Sequence, residues 1–266
     1  MVDWVGKKSY DIKDLEEIVR LLRSPGGCPW DIEQTHESIR RDFLEETYEV
    51  IEAIDEKSTE HLKEELGDVL LQVVFHSRIE QEEGRFTLDD VADGVCKKLI
   101  YRHPHVFGEV KVADSGEVLR NWEALKRTEK HQQTYTDTLN AVARSLPALW
   151  RAEKVQKKAK KAGFDWDDAT GALDKLSEEI EELKQATLEG SNIEEELGDL
   201  LFAVVNVSRF LHVDTEFALN KATDKFIRRF AKVEELANQS GDIPMPEMGL
   251  EALDKLWDKA KELEKL

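Results

Sequence analysis

The sequence predicts an all-α protein built as a tandem duplication of one helical bundle. Three observations carry this expectation. Apolar residues recur at helical spacing along almost the whole chain. The composition, 36% charged residues with only 6 Pro and 14 Gly in 266 residues, favours helix formers over strand-and-turn architecture. Three sequence blocks recur in the same order in the two halves. At this length, with 40% hydrophobic residues, the chain can bury the cores of two modest domains.

The elements follow in order. Ile12, Leu15, Ile18, Val19 and Leu22 make a first amphipathic helix, stopped by Ser24-Pro25-Gly26-Gly27. A second carries Ile39, Phe43, Tyr48, Ile51 and Ile54. Ser58 or Thr59 caps a third, whose stripe is Leu62, Leu66, Val69, Leu70, Val73 and Ile79, with Gly84 beyond its end. Thr87 and Asp90 open a fourth, which must end before Pro104. From about Gly108 to Thr138 the chain is more polar, with one helix around Leu119, Trp122 and Leu125, and reads as a connector. Ser145 and Pro147 start the next helix, which ends near Gly163. Further helices run through Leu173 to Leu183, Leu197 to Val204, Phe217 to Val233, and from about Leu250 onward. Ser191 and Glu194 have the spacing of a capping box, just after a closing Gly190. The expected domains are 1–112, a connector over 113–140, and 141–266.

Comparing the halves is the most informative step. EELGDVLLQVV (64–74) answers EELGDLLFAVV (195–205), LEETYEVIEAI (44–54) answers SEEIEELKQAT (177–187), and KKLIYRH (97–103) answers DKFIRRF (224–230). Order and spacing together indicate an internal duplication. The formal net charge of −19 argues against a broad grip on a phosphate backbone, so nucleic acid is not an expected partner. An acidic protein that handles an anion needs a divalent cation between the two. Cys28 and Cys96 stand in unrelated contexts, which predicts neither a disulfide framework nor a zinc knuckle. No apolar run suits a signal peptide or a membrane span, so a cytoplasmic protein without a membrane partner is expected.

The duplicated blocks concentrate carboxylates. Glu45, Glu46 and Glu49, with Glu65 and Asp68, form the N-terminal set; Glu178, Glu179 and Glu182, with Glu196 and Asp199, form the C-terminal one. Residues three or four apart share a helix face. Two such helices packed antiparallel would gather four or five carboxylates around one small volume, where like charges favour either protonation or a cation. Mg²⁺ takes oxygen ligands in an octahedron and keeps waters for its substrate; Mn²⁺ is the expected substitute. Glutamate-rich runs ordinarily decorate a solvated helix face. Two features set these apart: Gly67 and Gly198 recur at the same mid-helix place, and Asp68 and Asp199 sit among apolar residues where a surface position is not expected. Lys225 and Arg229, with Arg228 beside them, lie one turn apart on a later helix and suit phosphate oxygens, recurring as Lys98 and Arg102. Asn206 lies two turns beyond Asp199 where the first half has Phe75; an amide facing the cluster suits substrate positioning and makes the second copy the better candidate for catalysis.

Taken together, CPWD (28–31), LEETYEV (44–50), EELGD (64–68), YRHPHVF (101–107), GFDW (163–166) and EELGDLLF (195–202) resemble the MazG family of nucleoside triphosphate pyrophosphohydrolases, from about Leu15 to Trp257. The resemblance implies tandem MazG-type helical bundles, Mg²⁺ dependence, a homodimer, and cleavage between the α- and β-phosphates. It implies that the second copy carries the main activity, with Glu179, Glu182, Glu196 and Asp199 as metal ligands. Lys175, the Lys225–Arg229 segment and Trp257 match nucleotide-binding positions. One departure is the stretch between the acidic helices, Ala186 to Ile193, which is short against some relatives and bears on the width of the cleft. Rival readings are a narrower dUTP- or dCTP-type pyrophosphatase and a non-catalytic nucleotide-binding regulator. A di-iron bundle would need an E-x-x-H on each of two helices, and only Glu33/His36 has that spacing.

Overall fold

A computed structural model of the chain describes residues 4–240 and 243–264. Among these residues it contains thirteen α-helices, one 3₁₀ turn and no strand, as the periodicity predicts. The chain divides into two units, Met1–Lys126 and Arg127–Leu266.

The first unit contains α1 (Ile12–Leu22), α2 (Pro29–Glu33), α3 (Arg40–Asp55), α4 (Thr59–Glu82), α5 (Leu88–Arg102) and α6 (Pro104–Phe107). Helix α7 (Ser115–Glu129) carries the division inside it, within the segment read as a connector. Asp11 and Asp14 form a capping box that starts α1. The chain then turns so tightly that a β-carbon on Gly27 would lie 2.3 Å from the carbonyl oxygens of Leu21 and Leu22. Glycine is therefore required there. Ser58 caps α4, and Thr87 with Asp90 makes the capping box of α5. The long α4 is the spine: it packs on α1, α3 and α5, and its Val74 and Phe75 bury with Val19 and Ile39. Leu15, Leu71, Ile79 and Leu88 close over that core. The short α2 and α6 were not expected as helices; each begins at a proline, which is preset for the first helical position.

The second unit contains α8 (Tyr135–Asn140), α9 (Ala148–Lys161), α10 (Ala169–Glu189), α11 (Ile193–Phe210), α12 (Thr215–Ser240), a 3₁₀ turn (Met245–Glu247) and α13 (Leu250–Leu263). Helices α10 and α11 form a hairpin, with α9 packed on α11 and α13 on α12. Gly190 closes α10 in the left-handed region at φ 69°, which only glycine occupies without strain. The expected Ser191/Glu194 capping box is absent. Asn192, itself left-handed at φ 54°, is the N-cap residue of α11 and makes no side-chain cap. Left-handed Gly190 and Asn192 flank Ser191 in this three-residue connection, so α11 starts one residue later than the capping box requires.

The duplication persists in fine detail. Ser77 and Ser208 each donate from Oγ to the carbonyl four residues back, Val73 at 2.8 Å and Val204 at 3.0 Å. Arg102 lies over the Trp122 ring at 5.3 Å and its repeat partner Arg229 over Trp257 at 5.9 Å. Helix α7 thus stands to the first copy as α13 stands to the second. Cys28 and Cys96 are both free thiols.

Candidate functional site

Each copy places its acidic set on a helix hairpin: α3 and α4 in the first unit, α10 and α11 in the second. Within the second unit, Lys175, Glu178, Glu179 and Glu182 succeed one another at i, i+3, i+4 and i+7 along one side of α10. Glu196 and Asp199 face them from the first turns of α11.

The hairpin brings carboxyl oxygens of Glu179, Glu196 and Asp199 within 4.8 Å of one another. Glu179 is the buried member, 5% exposed, and its Oε2 has no hydrogen-bond partner. A buried carboxylate oxygen left unpaired costs desolvation free energy that only a donor or a cation recovers. Its Oε1 is held by Lys175 Nζ at 2.7 Å, which also meets Glu178 Oε1 at 2.7 Å and lies 3.9 Å from Glu182 Oε2. Hydrogen bonds to Glu178 and Glu179 hold the Lys175 ammonium above its ordinary pKa. Glu182 is raised, by desolvation first and then by the charges of Glu179 and Glu178, against the opposing pull of Lys175. Of the five expected carboxylates the structure groups three at once; Glu178 and Glu182 join through Lys175.

The first unit repeats the arrangement with Glu46, Glu49 and Glu65, whose oxygens also lie within 4.8 Å. Asp68 completes the set by raising the Glu46 pKa, after burial and alongside Glu49 and Glu65; Glu65 is raised by burial and then by Glu49. Glu45 is exposed outside the group. Where the second copy has Lys175 the first has Asp42, and a histidine is the neighbour instead: His61 lies 3.2 Å from Glu65 and 3.0 Å from Glu56. The Glu56 hydrogen bond raises the pKa of that imidazole.

Three sequence arguments need correction. Gly67 and Gly198 have open space where a β-carbon would stand, so packing within the chain does not require them. Asp199 is exposed and Asp68 half-buried, because the leucines around them are themselves exposed: Leu66, Leu70, Leu197 and Leu201 form an outward stripe of their own. Asn206, 8% exposed, does not offer its carbonyl to the carboxylates. That oxygen accepts from Arg209 Nε at 2.9 Å and Nη2 at 2.6 Å, and Arg209 also donates to both oxygens of Asp165. Burial works to raise the Asp165 pKa, but the hydrogen bond and charge of Arg209 outweigh it and hold the carboxyl below its ordinary value. This buried network ties the GFDW loop to the helix that carries Glu196 and Asp199. Sequence reasoning missed it, although Arg78 and Arg209 occupy matching places in the repeat.

The basic residues hold matching places in the two copies but differ in burial. Lys225 and Arg228 are exposed on α12, whereas Arg229 pairs with Glu264 at 2.6 Å beside Trp257. Trp257 is half-buried, its ring 5.1 Å from that of Phe226. In the first copy Lys98 is exposed but Arg102 is buried against Trp122. Helix α12, which carries the basic segment, packs chiefly on α13 and only lightly on α9 and α11.

Comparison with known proteins agrees with this duplicated arrangement. The family model described as the MazG nucleotide pyrophosphohydrolase domain matches residues 34–107 and again 168–234, taking in both acidic hairpins. The chain is 49% identical over 249 residues to the nucleoside triphosphate pyrophosphohydrolase/pyrophosphatase MazG of Thermotoga maritima, covering 94% of this chain and 95% of that one. It is 44% identical over 258 residues to the nucleoside triphosphate pyrophosphohydrolase of Escherichia coli K12, covering 95% of this chain and 98% of that protein.

Proposed function

The chain belongs to the MazG nucleotide pyrophosphohydrolase family, hydrolysing nucleoside triphosphates to monophosphate and pyrophosphate, and we propose that its C-terminal copy carries the reaction. The observation that supports this placement is the buried, half-unpaired Glu179 carboxylate beside Glu196 and Asp199. An all-oxygen donor set of this kind fits Mg²⁺, or Mn²⁺ in its place. Glu179, Glu196 and Asp199 would hold the ion, with Glu182 at the edge. When bound, such a cation neutralises phosphate charge and lowers the pKa of a coordinated water.

The protein's own groups supply the rest. A water oxygen forms the new bond to the α-phosphorus while the bond from that phosphorus to the β-phosphate bridging oxygen breaks, releasing pyrophosphate. A carboxylate of the α10–α11 set accepts the water's proton. Lys225 and Arg228, exposed and one turn apart, suit the charge that grows on the leaving pyrophosphate. Arg229, fixed between Glu264 and Trp257, orients that segment, and the partly open Trp257 face suits a base. Asn206 contributes through Arg209 and Asp165, which hold α11 in place. The first copy keeps the carboxylates but buries Arg102, and we assign it an auxiliary or structural role.

The same reading includes a homodimer. Ile180, Leu183, Leu188 and Leu200 line an apolar groove of about 520 Å³ on the α10–α11 hairpin, and Leu188 is 83% exposed. A second copy of the hairpin is the partner proposed to cover it. No described helix is long and apolar enough to cross a membrane, and we place the activity in the cytoplasm. Pyrophosphate release by Glu196→Ala and Asp199→Ala, compared with Glu65→Ala, tests the assignment to the second copy. Loss in the first two variants alone supports it; loss only in the third overturns it.

A further inference from the structure

Lys175 Nζ sits 2.7 Å from both Glu178 Oε1 and Glu179 Oε1 and 3.9 Å from Glu182 Oε2, so one ammonium spans three carboxylates of the C-terminal site. Two of these, Glu179 and Glu182, are groups that a divalent cation also needs. One small volume cannot satisfy both cations, because like charges a few ångströms apart repel and a doubly charged ion doubles that repulsion. The side chain is 37% exposed, so its flexible stem can carry the ammonium out toward solvent without disturbing the core. The first copy lacks the device: Asp42 stands at the repeat position, and it is an imidazole, that of His61, that lies beside Glu65.

We propose that Lys175 is a competing internal cation of the C-terminal site, displaced from Glu179 and Glu182 by the metal and taken up by the incoming triphosphate, so that metal and nucleotide bind cooperatively. This rests on the reading of the α10–α11 carboxylates as the metal site. Metal alone must break the lysine's contacts with Glu179 and Glu182, leaving the ammonium only the exposed Glu178. A triphosphate arriving with the metal supplies anionic oxygens for the ammonium released. Binding of each therefore strengthens the other, and reciprocity requires the same factor in both directions. Lys175 acts twice in this scheme: its charge sets when the carboxylates become available, and its ammonium then meets the triphosphate.

The test is Mn²⁺ binding to the full chain, with the N-terminal carboxylates silenced by Glu46→Gln, Glu49→Gln and Glu65→Gln. Titrations are run with and without an α,β-methylene triphosphate analogue that cannot be cleaved. Lys175→Met is expected to bind Mn²⁺ about tenfold more tightly without nucleotide and to lose most of the tightening the analogue produces. Lys175→Arg, which keeps the charge, is expected to retain the coupling. Unchanged or weaker Mn²⁺ binding by Lys175→Met, with coupling intact, overturns the proposal. Glu179→Gln separates this from failure of the underlying reading: if it leaves Mn²⁺ binding untouched, the carboxylates are not the metal site and the lysine's role falls with them.

Discussion

Replacing Arg209 by Met should destabilise the C-terminal unit more than any surface change, for reasons that can be worked from its contacts. The residue is 8% exposed, and its guanidinium donates to Asn206 Oδ1 twice and to both oxygens of Asp165. Methionine fills much of the stem volume but leaves Asp165 and the Asn206 carbonyl unpaired. Breaking a buried ion pair on one side costs about 3–5 kcal/mol. Lys160, 3.5 Å from Asp165, recovers part of that loss, which brings the expected cost to about 3 kcal/mol at neutral pH. For a unit of this size the cost corresponds to a fall in Tm of about 10 °C. The pH dependence has a definite sign. In the wild type Asp165 is held below its unfolded value, so its stabilisation is present above that value and is lost as pH falls through the lower, folded one. In Arg209→Met burial acts with less opposition and the carboxyl moves upward, so the gap between the two proteins should narrow from pH 7.5 to pH 4. Urea denaturation followed by circular dichroism measures both. Asp165→Asn combined with Arg209→Met should cost less than the two single changes added, since neither partner is left charged. A cost below about 1 kcal/mol, or a gap that widens on acidification, would refute the argument.

Two further outcomes follow from the same reasoning. His36 Nδ1 and His76 Nδ1 lie 2.7 Å apart and share one proton, with His36 Nε2 on Glu80 and Glu80 on Arg85. Burial and then the neighbouring His36 hold His76 below its ordinary pKa, so the unfolded chain takes up that proton first. His76 thus contributes a loss of stability as pH falls below about 6.5, opposite in sign to the raised His61, and His76→Leu should remove that contribution, seen as a smaller drop than wild type in urea midpoints taken between pH 7.5 and 5.5. For the apolar groove, Leu188→Asp with Ile180→Asp should convert a dimer to a monomer in sedimentation velocity while leaving helicity unchanged; a variant that stays dimeric places the interface elsewhere.

Much of the fold was legible because helix-forming information is local. Periodic apolar residues, the Thr87/Asp90 capping box and the proline and glycine stops all act within a few residues of themselves. The carboxylate sets were legible because duplication shows each twice. What stayed hidden depends on partners distant in sequence. Arg209 and Asp165 are 44 residues apart, and nothing local to Asn206 shows that its carbonyl is already taken. Asp199 misled because an apolar neighbourhood in sequence is not a buried one in space; alternate faces of α11 carry the acid and the exposed leucines. The contrast between Lys175 and Asp42 was present in the repeat, but its meaning appears only once the ammonium is seen on three carboxylates.

The central claim is that the second of two similar acidic hairpins runs the chemistry. Pyrophosphate release from ATP and dUTP in Mg²⁺, measured side by side for Glu196→Ala/Asp199→Ala and Glu65→Ala/Asp68→Ala, tests it most directly. The C-terminal pair is expected to lose at least about a hundredfold in kcat, an ion-site loss of the size that oxyanion-stabilising groups show, while the N-terminal pair keeps turnover within severalfold of wild type. Full activity in the C-terminal pair, or loss confined to the N-terminal one, would contradict it.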